Sequence, residues 1–261
     1  MLNLINISKT FDANTNYRNT VIKDLNLKVN DGDFICIIGS NGSGKSTLFN
    51  LIAGSTYSDE GKIILDDENI TMKPEHIRAH YIGRLFQDPL LGTAPDLTVY
   101  ENIMLAAKNG TWLSVPNKKD KQLIKEKIKV LNMGLEDRLN TPVRLLSGGQ
   151  RQALTLIMAT INPPKILLLD EHTAALDPQS ANQVMELTKK IIEDNKITCL
   201  MITHNMQSAI DYGNRLLMMH RGNIILDLNK QEKEKLTIDE LRVLFKKNSN
   251  SELNNDYMLL D

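Results

Sequence analysis

Cysteine is scarce: two residues in 261 cannot build a disulfide scaffold. Cys36 lies in the run FICIIG (34–39) and Cys199 in ITCLMIT (197–203), both apolar and β-prone. Two small buried thiols are expected there, not a bridge or a metal pair. Aromatic residues make up only 5%, and neither the single tryptophan, Trp112, nor the eleven methionines have a sequence context beyond packing. An excess of one charge is also missing. Lys plus Arg is 31 and Asp plus Glu is 32, a net charge of −1, which excludes a whole-chain electrostatic footprint for nucleic acid or an anionic membrane. No run approaches the ~18 apolar residues of a membrane helix. The first residues, MLNLINISKTF, lack the basic start and long apolar core of a signal peptide. No internal repeat and no sustained heptads occur.

What remains is an ordinary globular composition, 41% hydrophobic and 24% charged. At ~150 residues per domain the length suggests one elaborated domain. Residues 1–35 read as short alternating strands, with Leu25, Leu27 and Val29 apolar and polar residues between them. A second strand pair is expected around a turn at Asp59-Glu60-Gly61, leading into Lys62–Leu65. Three apolar runs, Phe34–Ile38, Ile166–Leu169 and Ile197–Thr203, suit strands of a parallel sheet covered on both faces. Helical signals lie between them. Lys45–Ala53 ends at Gly54, and Asp177-Pro178 reads as an N-cap with proline at N1. Residues Asp88–Ile161 have a helical pattern and look like an insertion between two sheet strands. Thr237-x-x-Glu240 forms a capping box, with Leu236 and Leu241 as its staple. The last dozen residues, rich in Asn and Ser, are expected to be mobile.

Three motifs carry chemistry. Gly39-Ser40-Asn41-Gly42-Ser43-Gly44-Lys45-Ser46 fits G-x-x-x-x-G-K-[ST], and Thr47 follows it. An apolar strand precedes the motif and a helical segment follows, which excludes a chance glycine turn. Its N–H groups can cradle phosphate oxygens at a helix N-terminus, Lys45 can meet the β- and γ-phosphates, and Ser46 can ligate Mg²⁺. This is a nucleoside-triphosphate site. Ile166–Leu169 ends in Asp170-Glu171. An apolar strand ending in two acids is weak evidence alone, but beside the Lys45 loop it gains meaning. Asp170, expected on a strand neighbouring the loop, can hold Mg²⁺, and Glu171 can polarise the attacking water. In Leu146-Ser147-Gly148-Gly149-Gln150, Ser147-Gly-Gly sits just before the helical stretch Arg151–Ile161. Ser147 alone would be an ordinary N-cap, whereas the whole motif forms a second anion cradle at a helix start.

The Leu146–Gln150 motif resembles the signature of the ATP-binding cassette (ABC) ATPases, and the family's other motifs follow in order. Gln87 in Leu85-Phe86-Gln87-Asp88 looks like the Q-loop and Ala175-Leu176-Asp177 like the D-loop. His204 matches the switch histidine, and Phe11 falls where the family stacks an aromatic on adenine. The resemblance spans roughly residues 1–228. It implies a P-loop NTPase α/β core with an antiparallel β portion and an inserted helical subdomain: core 1–85 and 163–228, helical subdomain 86–162, C-terminal helix and tail 229–261. It further implies a Mg²⁺-dependent ATPase in which two copies sandwich two ATP molecules, each loop facing the other copy's Ser147, Gly148, Gly149 and Gln150. Lys45, Gln87, Glu171 and His204 are then the catalytic set. Asp177 faces the dimer interface, and Ser46, Gln87 and Asp170 serve the metal. His172 departs from the family's usual proline. His76, His80, His172 and His220 are expected to be surface or packing residues.

The stretch Phe86–Ile103, with Asp170–Pro178, is similar to a bacterial subgroup of transport cassettes. Those work at the cytoplasmic face of the membrane with a separate permease and an extracytoplasmic binding protein, and some are linked to tryptophan or tyrosine uptake. The alternative is a soluble ABC ATPase of the iron–sulfur assembly type. DNA-repair and translation factors of the family fit poorly, since they carry long coiled coils or two cassettes per chain. No nucleic-acid partner is expected.

Overall fold

The computed structural model describes residues 1–12, 19–107, 118–129 and 132–249. The readings made for Trp112 and for the last dozen residues lie outside the described residues. The chain opens with β1 (Leu2–Phe11), β2 (Asn19–Val29), β3 (Phe34–Gly39), α1 (Lys45–Ala53), β4 (Glu60–Leu65), β5 (Glu68–Asn69), α2 (Glu75–Arg78) and β6 (Ile82–Leu85). A mainly helical stretch follows, with α3 (Val99–Ala107), α4 (Lys118–Lys129) and α5 (Gly148–Thr160). Then come β7 (Ile166–Asp170), α6 (Pro178–Asn195), β8 (Thr198–Ile202), α7 (Met206–Asp211), β9 (Arg215–His220), β10 (Asn223–Asn229), α8 (Lys230–Lys233) and α9 (Ile238–Ser249).

Two sheets result. An antiparallel one has the order β2-β1-β4-β5, and a six-stranded one the order β10-β9-β3-β8-β7-β6. In the second, β9, β3, β8 and β7 run parallel and β10 returns antiparallel at the edge. The expected doubly covered strands are there: every residue of β3 and β8 is buried. Leu48, Phe49, Leu51 and Ile52 of α1 join one core with Leu4, Ile7 and Ile63 of the antiparallel sheet and Ile37, Leu168 and Leu200 of the parallel one. The helix carrying the phosphate loop is thus fixed by apolar burial on two sides.

The turn expected at Asp59-Glu60-Gly61 lies elsewhere. β4 already begins at Glu60, and the β4–β5 turn is Asp66-Asp67, with φ of 47° and 67°. Asp59 is not a turn residue because its carboxylate accepts from Thr10 N–H and Lys9 Nζ, both at 2.7 Å, which ties it to β1. Two aspartates adopt the left-handed conformation that such a tight turn needs.

The described residues divide into two compact units, Met1–Ile82 with Lys165–Asp170 and the chain from Ile197 onward, and Gly83–Pro164 with Glu171–Lys196. Residues 171–196 group with the helical insertion because α6 packs on α5; a Cβ on Gly149 would lie 3.0 Å from Ser180 Cβ. The segment after β10 joins the first unit. Leu241 and Phe245 of α9 are buried there, and buried Lys233 donates to the Ala209 carbonyl at 3.0 Å.

Candidate nucleotide site

In the first unit, Ile37 of β3 and Asp170 of β7 both pair with Ile202 of β8. The carboxyl ends of the three strands are therefore level, the position where open α/β sheets bind ligands. Gly39–Ser46 leaves β3 there, Asp170 ends β7, and His204 follows β8 by two residues. One expectation needs correcting: β7 is not the neighbour of β3, because β8 lies between them. The carboxylate reaches the loop's level through strand register, not through adjacency.

The loop is built around its lysine. Lys45 is 6% exposed, and its Nζ donates to the carbonyls of Gly39 at 2.6 Å and Ser40 at 3.0 Å. The first i→i−4 bond of α1 runs from Leu48 N–H to Gly44 O at 2.8 Å, and the N-cap Gly44 supplies no side chain. The amides of Lys45, Ser46 and Thr47 thus have no intrahelical acceptor, as an anion site at a helix start requires. Ser43 Oγ is buried and has no hydrogen-bond partner among the described residues, a polar atom that a phosphate oxygen would satisfy. Gly42 and Asn41 are exposed at the loop tip.

A neighbour that sequence reasoning missed supports the loop from behind. The β9–β10 hairpin turns through Arg221 (φ 46°) and Gly222 (φ 79°), and Gly222 N–H donates to Ser43 O at 2.9 Å. A Cβ at Gly222 would sit 2.2 Å from the carbonyl oxygen of Val21, so only glycine fits. The signal was present as Arg-Gly between two apolar runs, a hairpin pattern.

No group of three or more His, Cys, Asp or Glu that could hold a metal exists among the described residues. Asp170 and the exposed Ser46 hydroxyl offer only two oxygen ligands. That set fits Mg²⁺, which keeps water and binds through one or two carboxylates plus substrate phosphates. Phe11 ends β1 at 39% exposure, with Lys9 Nζ 5.4 Å from its ring centroid. Cys36 and Cys199 are buried free thiols, and burial pushes Cys36 up to about 12.

The second unit holds Gln87, Ser147–Gln150, Glu171 and Asp177. Gln87 is exposed just after β6. The signature helix begins at Gly148, three residues earlier than expected, because Ser147 and Gln150 form a capping box: Gln150 N–H donates to Ser147 Oγ at 3.3 Å and Ser147 N–H to Gln150 Oε1 at 3.2 Å. Gln150 Nε2 also donates to the Met133 carbonyl at 3.1 Å, so its side chain is committed within the chain. The exposed Ser147 hydroxyl and the helix N-terminus remain as the anion-binding elements. Asp177 caps α6, accepting from Ser180 N–H at 3.0 Å, and the hydrogen bonds from Ser180 hold its carboxyl below the usual range.

Fold and loop together define a P-loop nucleoside-triphosphatase. Residues 22–174 match the ABC transporter family. The chain is 45% identical over 243 residues to the tyrosine transport ATP-binding protein of Clostridioides difficile, covering 92% of this chain and 97% of that one. It is 34% identical over 232 residues to the spermidine/putrescine import ATP-binding protein PotA of Haemophilus influenzae, spanning 89% of this chain and 59% of the relative. Among solved structures it is similar to a dimeric ATP-binding cassette in a post-hydrolysis state bound to ADP and Pi, with a TM-score of 0.76 and 29% identity over 88% of this chain and 99% of that one. The chain belongs to the ABC transporter family and is an ATP-binding cassette ATPase. No helix among the described residues is long and apolar enough to cross a membrane.

Proposed function

We propose that the chain is the motor subunit of an ABC importer at the cytoplasmic face of the membrane, working as a dimer around two ATP molecules and driving a separate permease. Aromatic amino acids, delivered by an extracytoplasmic binding protein, are the proposed cargo. The observation that carries this reading is the near end-to-end likeness to a tyrosine transport ATP-binding protein. Dimerisation is supported by a second helix N-terminus of anion-binding type, at Ser147, in a chain that already has a phosphate loop.

In this reading the loop Gly39–Thr47 holds the phosphates, Lys45 neutralises β/γ charge, and Phe11 stacks on adenine. Mg²⁺, held by Asp170, Ser46 and Gln87, would neutralise charge on the β- and γ-oxygens. Glu171 takes the proton of the attacking water as the water oxygen bonds to the γ-phosphorus. The bond to the leaving ADP oxygen breaks, and His204 contacts the γ-phosphate. The partner's signature closes the site, and Asp177 lines the interface. The permease docks beside Gln87, around Pro95–Tyr100. Exposed Leu90, Leu91 and Leu97 in that region supply apolar surface for it.

Glu171→Gln tests the core of the reading. ATP affinity should be kept, turnover should fall by ~10²-fold or more, and an ATP-bound dimer should accumulate on size exclusion. Near-normal hydrolysis would refute the assignment. Recovery with a permease from detergent-solubilised membranes, and loss of labelled tyrosine or tryptophan uptake on deletion, test the transport role. Recovery with soluble proteins alone points to the assembly-type ATPase instead.

A further inference from the structure

His172 follows Glu171 directly and is 2% exposed. Its Nε2 lies 3.2 Å from Thr188 Oγ1, about three turns along α6. Thr188 is itself fully buried and commits its one hydroxyl hydrogen to the Val184 carbonyl at 2.7 Å. The hydroxyl can therefore only accept from the ring, which fixes His172 as the Nε2–H tautomer. Its Nδ1 is then a bare acceptor, buried with no hydrogen-bond partner among the described residues. A half-satisfied imidazole is an expensive way to fill an interior position that an apolar side chain could occupy. Its single bond must therefore be worth something to the loop it comes from.

That loop carries strain and function together. Glu171 sits at φ +48°, a left-handed conformation that crowds Cβ against the following carbonyl in any residue but glycine. Ala174 N–H donates to Glu171 O at 3.0 Å, closing a tight turn. The loop ends at Asp177, the α6 N-cap. The signature helix lies on its far side: a Cβ on Gly148 would be 3.1 Å from Leu176 Cδ2, and one on Gly149 3.0 Å from Ser180 Cβ. Residues 171–177 are thus strapped to α6 at both ends, by His172 at one and Asp177 at the other.

We propose that His172 is a positioning residue for ATP hydrolysis: its Nε2–H bond to Thr188 holds Glu171 in the left-handed conformation and fixes the carboxylate-bearing loop to α6 and the signature helix packed on it. This rests on the reading of Glu171 as the base. The ring itself touches neither nucleotide nor water.

The test uses the full-length chain and steady-state ATPase kinetics. His172→Leu should lower kcat roughly tenfold while leaving KM for ATP and the Kd of a non-hydrolysable analogue within about twofold, as displacement of a positioned group does. Thr188→Val, which keeps the shape and removes the acceptor, should match it, and the double variant should be no worse than either single one. His172→Gln, whose amide can donate from the same place, should recover kcat to within about threefold of the parent. An unchanged kcat in Thr188→Val would overturn the proposal, as would additive losses in the double variant or a loss in His172→Leu that glutamine does not rescue. If His172→Leu does not fold, Thr188→Val and His172→Gln carry the test. Glu171→Gln is assayed in parallel. If it retains turnover, the base assignment fails; if it abolishes turnover while Thr188→Val is normal, only the strap fails.

Discussion

Arg78 donates from Nη1 to the carbonyl oxygens of Leu51 at 2.6 Å and Ile52 at 2.8 Å, closing the C-terminal end of α1 with a fully buried guanidinium. Nε reaches Lys73 O and Nη2 reaches Thr71 O, both at 2.8 Å. All four acceptors are carbonyls. Two of them belong to the last turn of α1, whose oxygens lack intrahelical donors and carry the negative end of the helix dipole. The phosphate loop lies at the opposite end of the same helix, so Arg78 anchors from below what the nucleotide binds above.

Arg78→Met keeps the aliphatic stem and removes every donor. It should destabilise the fold by about 3 kcal/mol or more, since several buried carbonyls lose their partners at once. The measurement is urea denaturation, read as a lower midpoint at unchanged m. A midpoint equal to that of the parent would show that the guanidinium is dispensable.

Gly222→Ala should weaken ATP binding at least tenfold, because the new methyl cannot coexist with Val21 O at 2.2 Å and the hairpin must leave Ser43. Gly32→Ala is the control. Gly32 also has positive φ, 80°, but open space around its missing Cβ, so it should cost only the ~1 kcal/mol of the backbone conformation and leave ATP affinity alone. Isothermal titration of both variants decides it. Equal affinities would mean that the hairpin does not support the loop.

Ser147→Arg should abolish hydrolysis and leave ATP binding to the isolated chain within about threefold, since the capped helix start is proposed to meet the partner's nucleotide. Lys45→Ala should lose binding itself. Mixed in equal amounts, the two inactive variants should regain activity, because one composite site per heterodimer combines an intact loop with an intact signature. A Ser147→Arg chain that bound ATP as poorly as Lys45→Ala would show the signature acting on its own chain's nucleotide.

The sequence by itself determined the features that depend on near neighbours. The Lys45 loop, the N-caps at Asp177 and Ser147, the capping box at Thr237 and the buried runs at 34–38, 166–169 and 197–203 are set by backbone turn chemistry or by unbroken apolar character, which act within about ten residues. What only the tertiary structure decided involves partners distant along the chain. Nothing near Asp170 in sequence says that β8 separates its strand from the loop's, because parallel strand order is set by crossover packing. Arg78 reads as a surface charge until the carbonyls of Leu51 and Ile52 close on it, and His172 as a spare packing residue until Thr188 meets it across α6. Gly222 is a plain hairpin glycine until Val21 and Ser43 crowd it. Gln150 belongs to a phosphate motif in sequence and to a helix cap in space. Segment 171–196 joins the helical unit for the same reason: α6 buries its apolar face against α5, and burial, unlike turn chemistry, is settled only when the whole chain has chosen its neighbours.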